Sequence, residues 1–195
     1  MSKAAETRHT ILHKAFELIY RNGFQATSID TIIATTQVTK GAFFYHFRNK
    51  EEMGLALINE VIKPTMEESF IRPLINSDQP ADDIYLMMKH LLQTAPFFQA
   101  EYGCPAVNLV NEVAASNDSL HQALYAVMSQ CLQAVSSSIQ RGQALGQIRD
   151  DVDGAQVANF IMIGYSGTRN MGKLFGAACY QTYLNELKRY LNQLT

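Results

Sequence analysis

Three helix-start signals crowd into the stretch between Ser28 and Asn49, and they dictate short helices joined by tight turns. A serine or threonine hydroxyl, or an asparagine amide oxygen, can accept from the free backbone N–H groups at a helix start. Ser28 therefore opens a short helix running through Thr35, and Thr39 opens another a few residues later. Asn49, with Glu52 three residues on, starts a longer fourth helix that Pro64 is expected to kink or end. Upstream, Ile11, Leu12, Ala15, Phe16 and Ile19 recur as one apolar stripe within residues 7–22, the pattern of an amphipathic helix. Gly23 supplies a left-handed stop, and Phe24 can fold back on the last turn.

The rest of the chain repeats this alternation of helix and break. Residues 76–80 form a turn cluster, and residues 82–98 read as a helix with Ile84, Met87, Met88, Leu91 and Leu92 on its apolar side. Pro105 opens the next helix, and Asn117 and Asp118 separate it from a long one reaching about Arg141. Glycines close that helix at 142–146, Asp153 caps a segment running to about Lys173, and residues 180–194 form the last helix. No alternating strand pattern and no repeat is present, so the expected fold is all-α with about nine helices.

Within residues 27–52 the residue types suit a helix-turn-helix, in which a supporting helix crosses the DNA backbone and a recognition helix meets base edges. The supporting helix is 28–36 and the recognition helix 39–47, with Val38 plugging the joint and Phe43 and Phe47 facing inward. Gly41 lets the helix come close to the sugar-phosphate wall. Thr39 and Lys40 can bond phosphate or base edges, and Tyr45 and His46 can reach phosphate or stack. Lys50 places a cation in the first turn of a helix, against the dipole, which a phosphate partner explains. Thr27 and Ser28 offer hydroxyls and a helix start to a second phosphate. Gln37 stands in the turn, either left-handed and mildly strained or with its amide directed at DNA. A plain pair of capped helices would not require Lys40, Gly41, Tyr45 and Lys50 at these positions.

The charge distribution agrees with this placement. The chain carries −2 in total, yet residues 1–50 carry +4, leaving −6 for the remainder. No apolar run approaches the ~18 residues of a membrane span, and the first ten residues are polar, so a cytoplasmic protein without membrane attachment is expected. Cys104, Cys131 and Cys179 are odd in number and widely spaced, which argues for reduced thiols and against disulfides or a zinc site. No nucleophile–base pair, phosphate loop or metal-ligand spacing points to an enzyme, a metal or a cofactor.

Val38, Thr39, Lys40, Gly41, Phe43, Tyr45, Phe47, Lys50 and Glu51 together resemble the N-terminal pattern of the TetR/AcrR family, over residues 7 to about 60. Gln37 departs from it, since a glycine is common there. The resemblance implies a helix-turn-helix DNA-binding domain in residues 1–50 and a ligand-binding and dimerisation domain in 51–195. It implies a repressor, bound as a homodimer to a double-stranded palindromic operator and released by a small-molecule inducer or by cysteine modification. An activator or a nucleoid-type DNA binder fits the same residues. Gly103, Cys104, Asn108 and Glu112 resemble one subgroup, some of whose members sense oxidants or electrophiles through this cysteine. Pro105 would put Cys104 at a helix N-cap, where a thiolate is favoured.

For the ligand, methionines and aromatics with a few amides would suit a mostly apolar small molecule. The candidates are Met88, Leu91, Phe98, Tyr102, Cys104, Asn108, Asn111, Met128, Met162 and Tyr165. For the dimer, Tyr180, Leu184, Leu187 and Leu191 make a narrow seam of alternating four- and three-residue spacing, which can pack within the chain as well as against a second copy, two helices from each chain making a four-helix interface. Gly164, Gly167 and Gly172 in the preceding helix would permit close approach.

Overall fold

A computed structural model describes residues 2–95 and 99–195. Among these the chain is helical throughout: α1 (Lys3–Asn22), α2 (Ile29–Thr35), α3 (Lys40–His46), α4 (Lys50–Leu57), α5 (Lys63–Met66), α6 (Pro80–Gln93), α7 (Pro105–Val113), α8 (Asp118–Ala144), α9 (Gly154–Phe175) and α10 (Ala178–Asn192). The short α5 belongs to one unbroken helical run that starts with α4, so the described helical stretches number nine, as the sequence suggests.

Pro64 does not end that run. A proline inside an α-helix lacks the N–H of an i→i−4 bond and presses on the preceding turn. Here a π turn, Ile58–Ile62, widens the helix just before it, with the Lys63 N–H donating to Ile58 O. A second π turn, Glu67–Ile71, and a 3₁₀ turn, Arg72–Leu74, carry the run onward.

The predicted starts carry the predicted caps. Ser28 Oγ accepts from Thr31 N at 3.0 Å, Thr39 Oγ1 from Ala42 N at 3.2 Å, and Asn49 Oδ1 from Glu52 N at 2.8 Å. Asp153 Oδ1 accepts from Ala155 N and Gln156 N. Gly23 has φ +91°, and its N–H donates to Ile19 O. Beyond Gly23, Phe24 packs over Gly54 of α4, where a Cβ would sit 2.9 Å from its ring.

The chain packs as two compact units, residues 1–64 with 105–125, and residues 65–104 with 126–195. The sequence division at residue 50 is therefore not where packing divides, since the core of the first unit takes in α4 and α7. Its centre is Ile11, Ala15, Phe16, Ile32, Phe43, Phe47, Met53 and Leu57. Arg8 closes one side, donating to both Glu60 carboxylate oxygens and to His46 O, with its guanidinium 4.5 Å from the Phe47 ring centre.

In the second unit α10 packs on α6 and α9. Tyr180, Leu184, Leu187 and Leu191 are all buried there, inside a single chain. The seam expected to meet a partner is taken up by the chain's own helices, because α6 presents Ile84, Met87, Met88, Leu91 and Leu92 as the matching apolar side. Two of the α9 glycines serve the same packing. A Cβ on Gly164 would lie 2.6 Å from the Tyr183 ring and one on Gly172 2.5 Å from the Tyr180 ring, whereas Gly167 faces open space. Gly172→Ala must displace a buried tyrosine and should lower stability by about 1–3 kcal/mol in urea unfolding; an unchanged midpoint would contradict this packing.

Candidate nucleic-acid interface

Caps and core between them decide which side chains of α2 and α3 face outward. With Phe43 and Phe47 locked inward, the helical spacing turns Lys40, Gly41, Phe44 and Tyr45 to solvent, Tyr45 being 78% and Phe44 42% exposed. Gln37 and Thr39 are exposed beside them. Gln37 is not left-handed, since Asn76 is the only non-glycine residue with positive φ among those described. The strain that its backbone was open to is absent. Lys40 Nζ lies 3.2 Å from Asp30 Oδ1 of α2, with both side chains largely in water. Such an exposed pair contributes little, so the ammonium is readily exchanged to another anion. A Cβ on Gly41 would meet no protein atom within 4 Å.

The remaining predicted residues sit differently. Ser28 is exposed, but its hydroxyl caps α2 and also bonds Thr31 Oγ1 at 2.7 Å. His46 is half-buried, its ring edge-on to Tyr45. Thr27 is buried, its hydroxyl donating to Gly23 O at 2.7 Å, so it offers nothing outward. Lys50 turns inward as well. Its ammonium donates to Gln25 O at 3.2 Å and lies 4.6 Å from the Phe24 ring centre. Burial pushes the Lys50 pKa down, and the carboxylate of Glu112 opposes that shift. An intramolecular setting, rather than a phosphate, explains this cation at a helix start.

Glu112 is the residue that sequence reasoning undervalued. Reaching from α7, its two carboxylate oxygens accept from Phe24 N at 3.0 Å and Gln25 N at 2.9 Å. It thus holds the loop between α1 and α2 by two charge-assisted bonds. Gly23 makes the approach possible, since a Cβ there would lie 3.0 Å from both oxygens. Glu112 also lines, with Asn108, Phe16, Tyr20 and Leu57, a small cavity within this unit. Neither the spacing to residue 24 nor the residue type signals such a contact in the sequence, because the partners are backbone groups nearly ninety positions away.

Comparison with known proteins identifies this arrangement. Residues 11–57 match the bacterial regulatory proteins of the tetR family, and residues 85–185, more than half of the 195-residue chain, match a tetracyclin repressor-like C-terminal domain. The chain belongs to the TetR family. The transcriptional regulator AcuR of Cereibacter sphaeroides is 25% identical over 174 residues, spanning 88% of this chain and 78% of AcuR. A regulator with a helix-turn-helix from the lacX 3′ region of Lactococcus lactis is 28% identical over 133 residues, 68% of each chain. The crystal structure of a TetR transcriptional regulator from Chloroflexus aurantiacus superposes with a TM-score of 0.88 at 27% identity, covering 99% of this chain and 98% of that one. TetR-family proteins are DNA-binding transcription regulators, not enzymes. Among the described residues no helix is long and apolar enough to cross a membrane.

Against the TetR-family frame, the candidate ligand residues separate. Met88, Leu91, Cys104, Met162 and Tyr165 are buried within the second unit, and Tyr102 and Met128 are half-buried there. Asn108 and Asn111 belong to the first unit, Asn108 half-buried and Asn111 exposed. Phe98 lies outside the described residues. Burial pushes the Cys131 thiol up to about 12, with Cys104 adding to the shift.

Removing the Glu112 carboxylate strips two backbone donors of their acceptor. Glu112→Ala should destabilise the protein by about 1–3 kcal/mol in urea unfolding, with hydrogen exchange at Phe24 and Gln25 accelerated. Unchanged exchange at both amides would show that the loop does not depend on this residue.

Proposed function

We propose that this TetR-family protein is a cytoplasmic, homodimeric repressor that reads a palindromic operator with the outer face of α3 and is released by a small molecule. Gly41 carries the reading. In a seven-residue helix a glycine lowers stability by about 1 kcal/mol relative to alanine. No atom of the protein needs the space it leaves. A surface from outside that must come within van der Waals reach, such as the wall of a major groove, gives the glycine its reason.

The neighbours of Gly41 supply the chemistry. Gln37 and Thr39 present an amide and a hydroxyl to base edges or phosphates, Tyr45 a phenol, and Lys40 an ammonium that can leave Asp30 for a phosphate. Ser28 and His46 flank this surface. Thr27 and Lys50 act behind it, as parts of the loop that Glu112 holds. In this reading residues 1–50 supply DNA binding, while 51–195 supply regulation and dimerisation.

A second copy of the chain is the natural cover for α9. Phe160, Ile163, Met171 and Leu174 line one exposed face of that helix, with Gly167 open among them. Two-fold pairing of such a face would match the symmetry of a palindrome. As to the signal, Cys104 is only 1% exposed, which favours release by a bound small molecule over modification of that thiol.

Selection of duplexes from a random pool by the purified protein tests the reading. On the selected duplex Gly41→Ala should weaken binding at least tenfold while raising stability by about 0.5–1 kcal/mol. Lys40→Ala should lower the slope of log affinity against log salt by about one. Binding undiminished in both variants would sink the assignment of α3. Ile163→Glu combined with Leu174→Glu should yield a helical monomer in sedimentation; a persistent dimer would place the interface elsewhere.

A further inference from the structure

Two histidines on the outer face of α1 take no part in the DNA-reading surface, the loop that Glu112 holds or the exposed stripe of α9. Along the chain His9 and His13 do not stand out as a metal motif, because no third histidine or cysteine follows at close spacing. The helix changes their meaning. Residues four apart lie one above the other on the same face of an α-helix. Here the two imidazoles meet, with ring centres 4.1 Å apart and planes inclined by 40°. Both residues are exposed, so a dissolved ion can reach them without opening the fold.

Two like charges at this spacing on a helix repel, which disfavours protonating both rings at once. Partial burial, and then the neighbouring His9, pull the His13 pKa below the ordinary histidine value, against the opposing effect of the Glu17 carboxylate. At neutral pH His13 is therefore a neutral base, the form of imidazole that ligates a metal. Two such nitrogens on neighbouring turns of one helix can close on one ion, as helical His-x-x-x-His pairs do on zinc. Glu17, one turn beyond His13, adds negative charge beside the pair, its carboxylate held by Lys14 Nζ at 2.7 Å. Among the described residues no group of three or more His, Cys, Asp or Glu side chains converges to hold an ion. The shell is then two protein nitrogens completed by water. Such an open, two-point site ranks ions by their affinity for imidazole, copper above nickel and zinc, and leaves magnesium and calcium to oxygen ligands.

We infer that His9 and His13 form a surface chelate for one divalent late-transition-metal ion, clamping the first half of α1 from outside. The same stretch carries Arg8, which ties α1 to Glu60 and to His46 O at the end of α3. Because the helix is what holds the two nitrogens together, the ion binds the folded chain above the unfolded one and raises its stability.

Nickel is the probe for the test, since it binds imidazole without oxidising the cysteines. Titration calorimetry and thermal unfolding of the full chain with nickel chloride should show a tightest site of one ion per chain and a raised Tm, and magnesium chloride at equal concentration should give neither. His9→Ala and His13→Ala alter exposed residues and should each leave the helical content unchanged. Each should weaken nickel binding about tenfold or more, because a single remaining nitrogen loses the chelate. His90→Ala on α6 should leave the affinity as it was. In amide NMR spectra, a small fraction of an equivalent of nickel should broaden residues 6–17 first. Absence of saturable nickel binding, an equal response to magnesium, or binding undiminished in the double alanine variant would each overturn the chelate. Broadening centred on His121 or Cys179 would overturn it too, by placing the ion elsewhere.

Discussion

One carboxylate fixes the geometry on which the first unit depends. Glu112 accepts from two consecutive backbone N–H groups, Phe24 and Gln25, in a loop that has no helix or strand to satisfy them. Around this contact the neighbouring features make sense together. Gly23 ends α1 with a positive φ and leaves room for the carboxylate. Thr27 ties the loop back to Gly23 O, and Lys50 closes it from the far side through Gln25 O and the Phe24 ring. Ser28 then starts α2 from a fixed point. The residues facing outward on α3 are oriented because those behind it are immobilised, and much of the polar chemistry expected of the surface belongs to this support.

The second unit uses polar and aromatic groups in another way. Its seam of Tyr180, Leu184, Leu187 and Leu191 is an internal joint between α10, α6 and α9. What it leaves outside is a stripe of α9 with large apolar side chains in water, and what it encloses is Arg169 with two phenols. The exposed apolar stripe is unfavourable in an isolated chain. Such a cost is characteristic of a surface that something else completes.

Much of the fold was legible in the sequence because it is written in local signals. Ser28, Thr39, Asn49 and Asp153 cap the helices they were expected to cap, and the periodic apolar residues of α1 and α6 face inward. Those signals act over three or four residues, the distance at which sequence patterns are informative. Pro64 was expected to kink or end its helix; it does not end it, and the distortion takes the form of a π turn just before it, which local propensity does not specify. The outward set of α3 was legible too, since Phe43 and Phe47 fix the helix phase. Thr27 and Lys50 were misjudged for the opposite reason. Their partners, Gly23 O, Gln25 O and the Phe24 ring, depend on a loop held by Glu112, and no pattern along the chain announces a carboxylate bonding to backbone amides. Arg169 escaped notice likewise, as a single arginine in an apolar helix looks like any surface charge until its burial is seen. The heptad-like seam of α10 was real, but a seam does not say whether its partner is the same chain or another.

The central claim is that the outer face of α3, opened by Gly41 and presented by the support behind it, is where DNA sits. Amide hydrogen exchange of the protein with and without its selected duplex tests this most directly. The account predicts slowed exchange over residues 37–46 when the duplex is added, with the exposed stripe of α9 unaffected by DNA. Exchange unchanged over residues 37–46 in a duplex-bound protein, with protection confined to other helices, would contradict it.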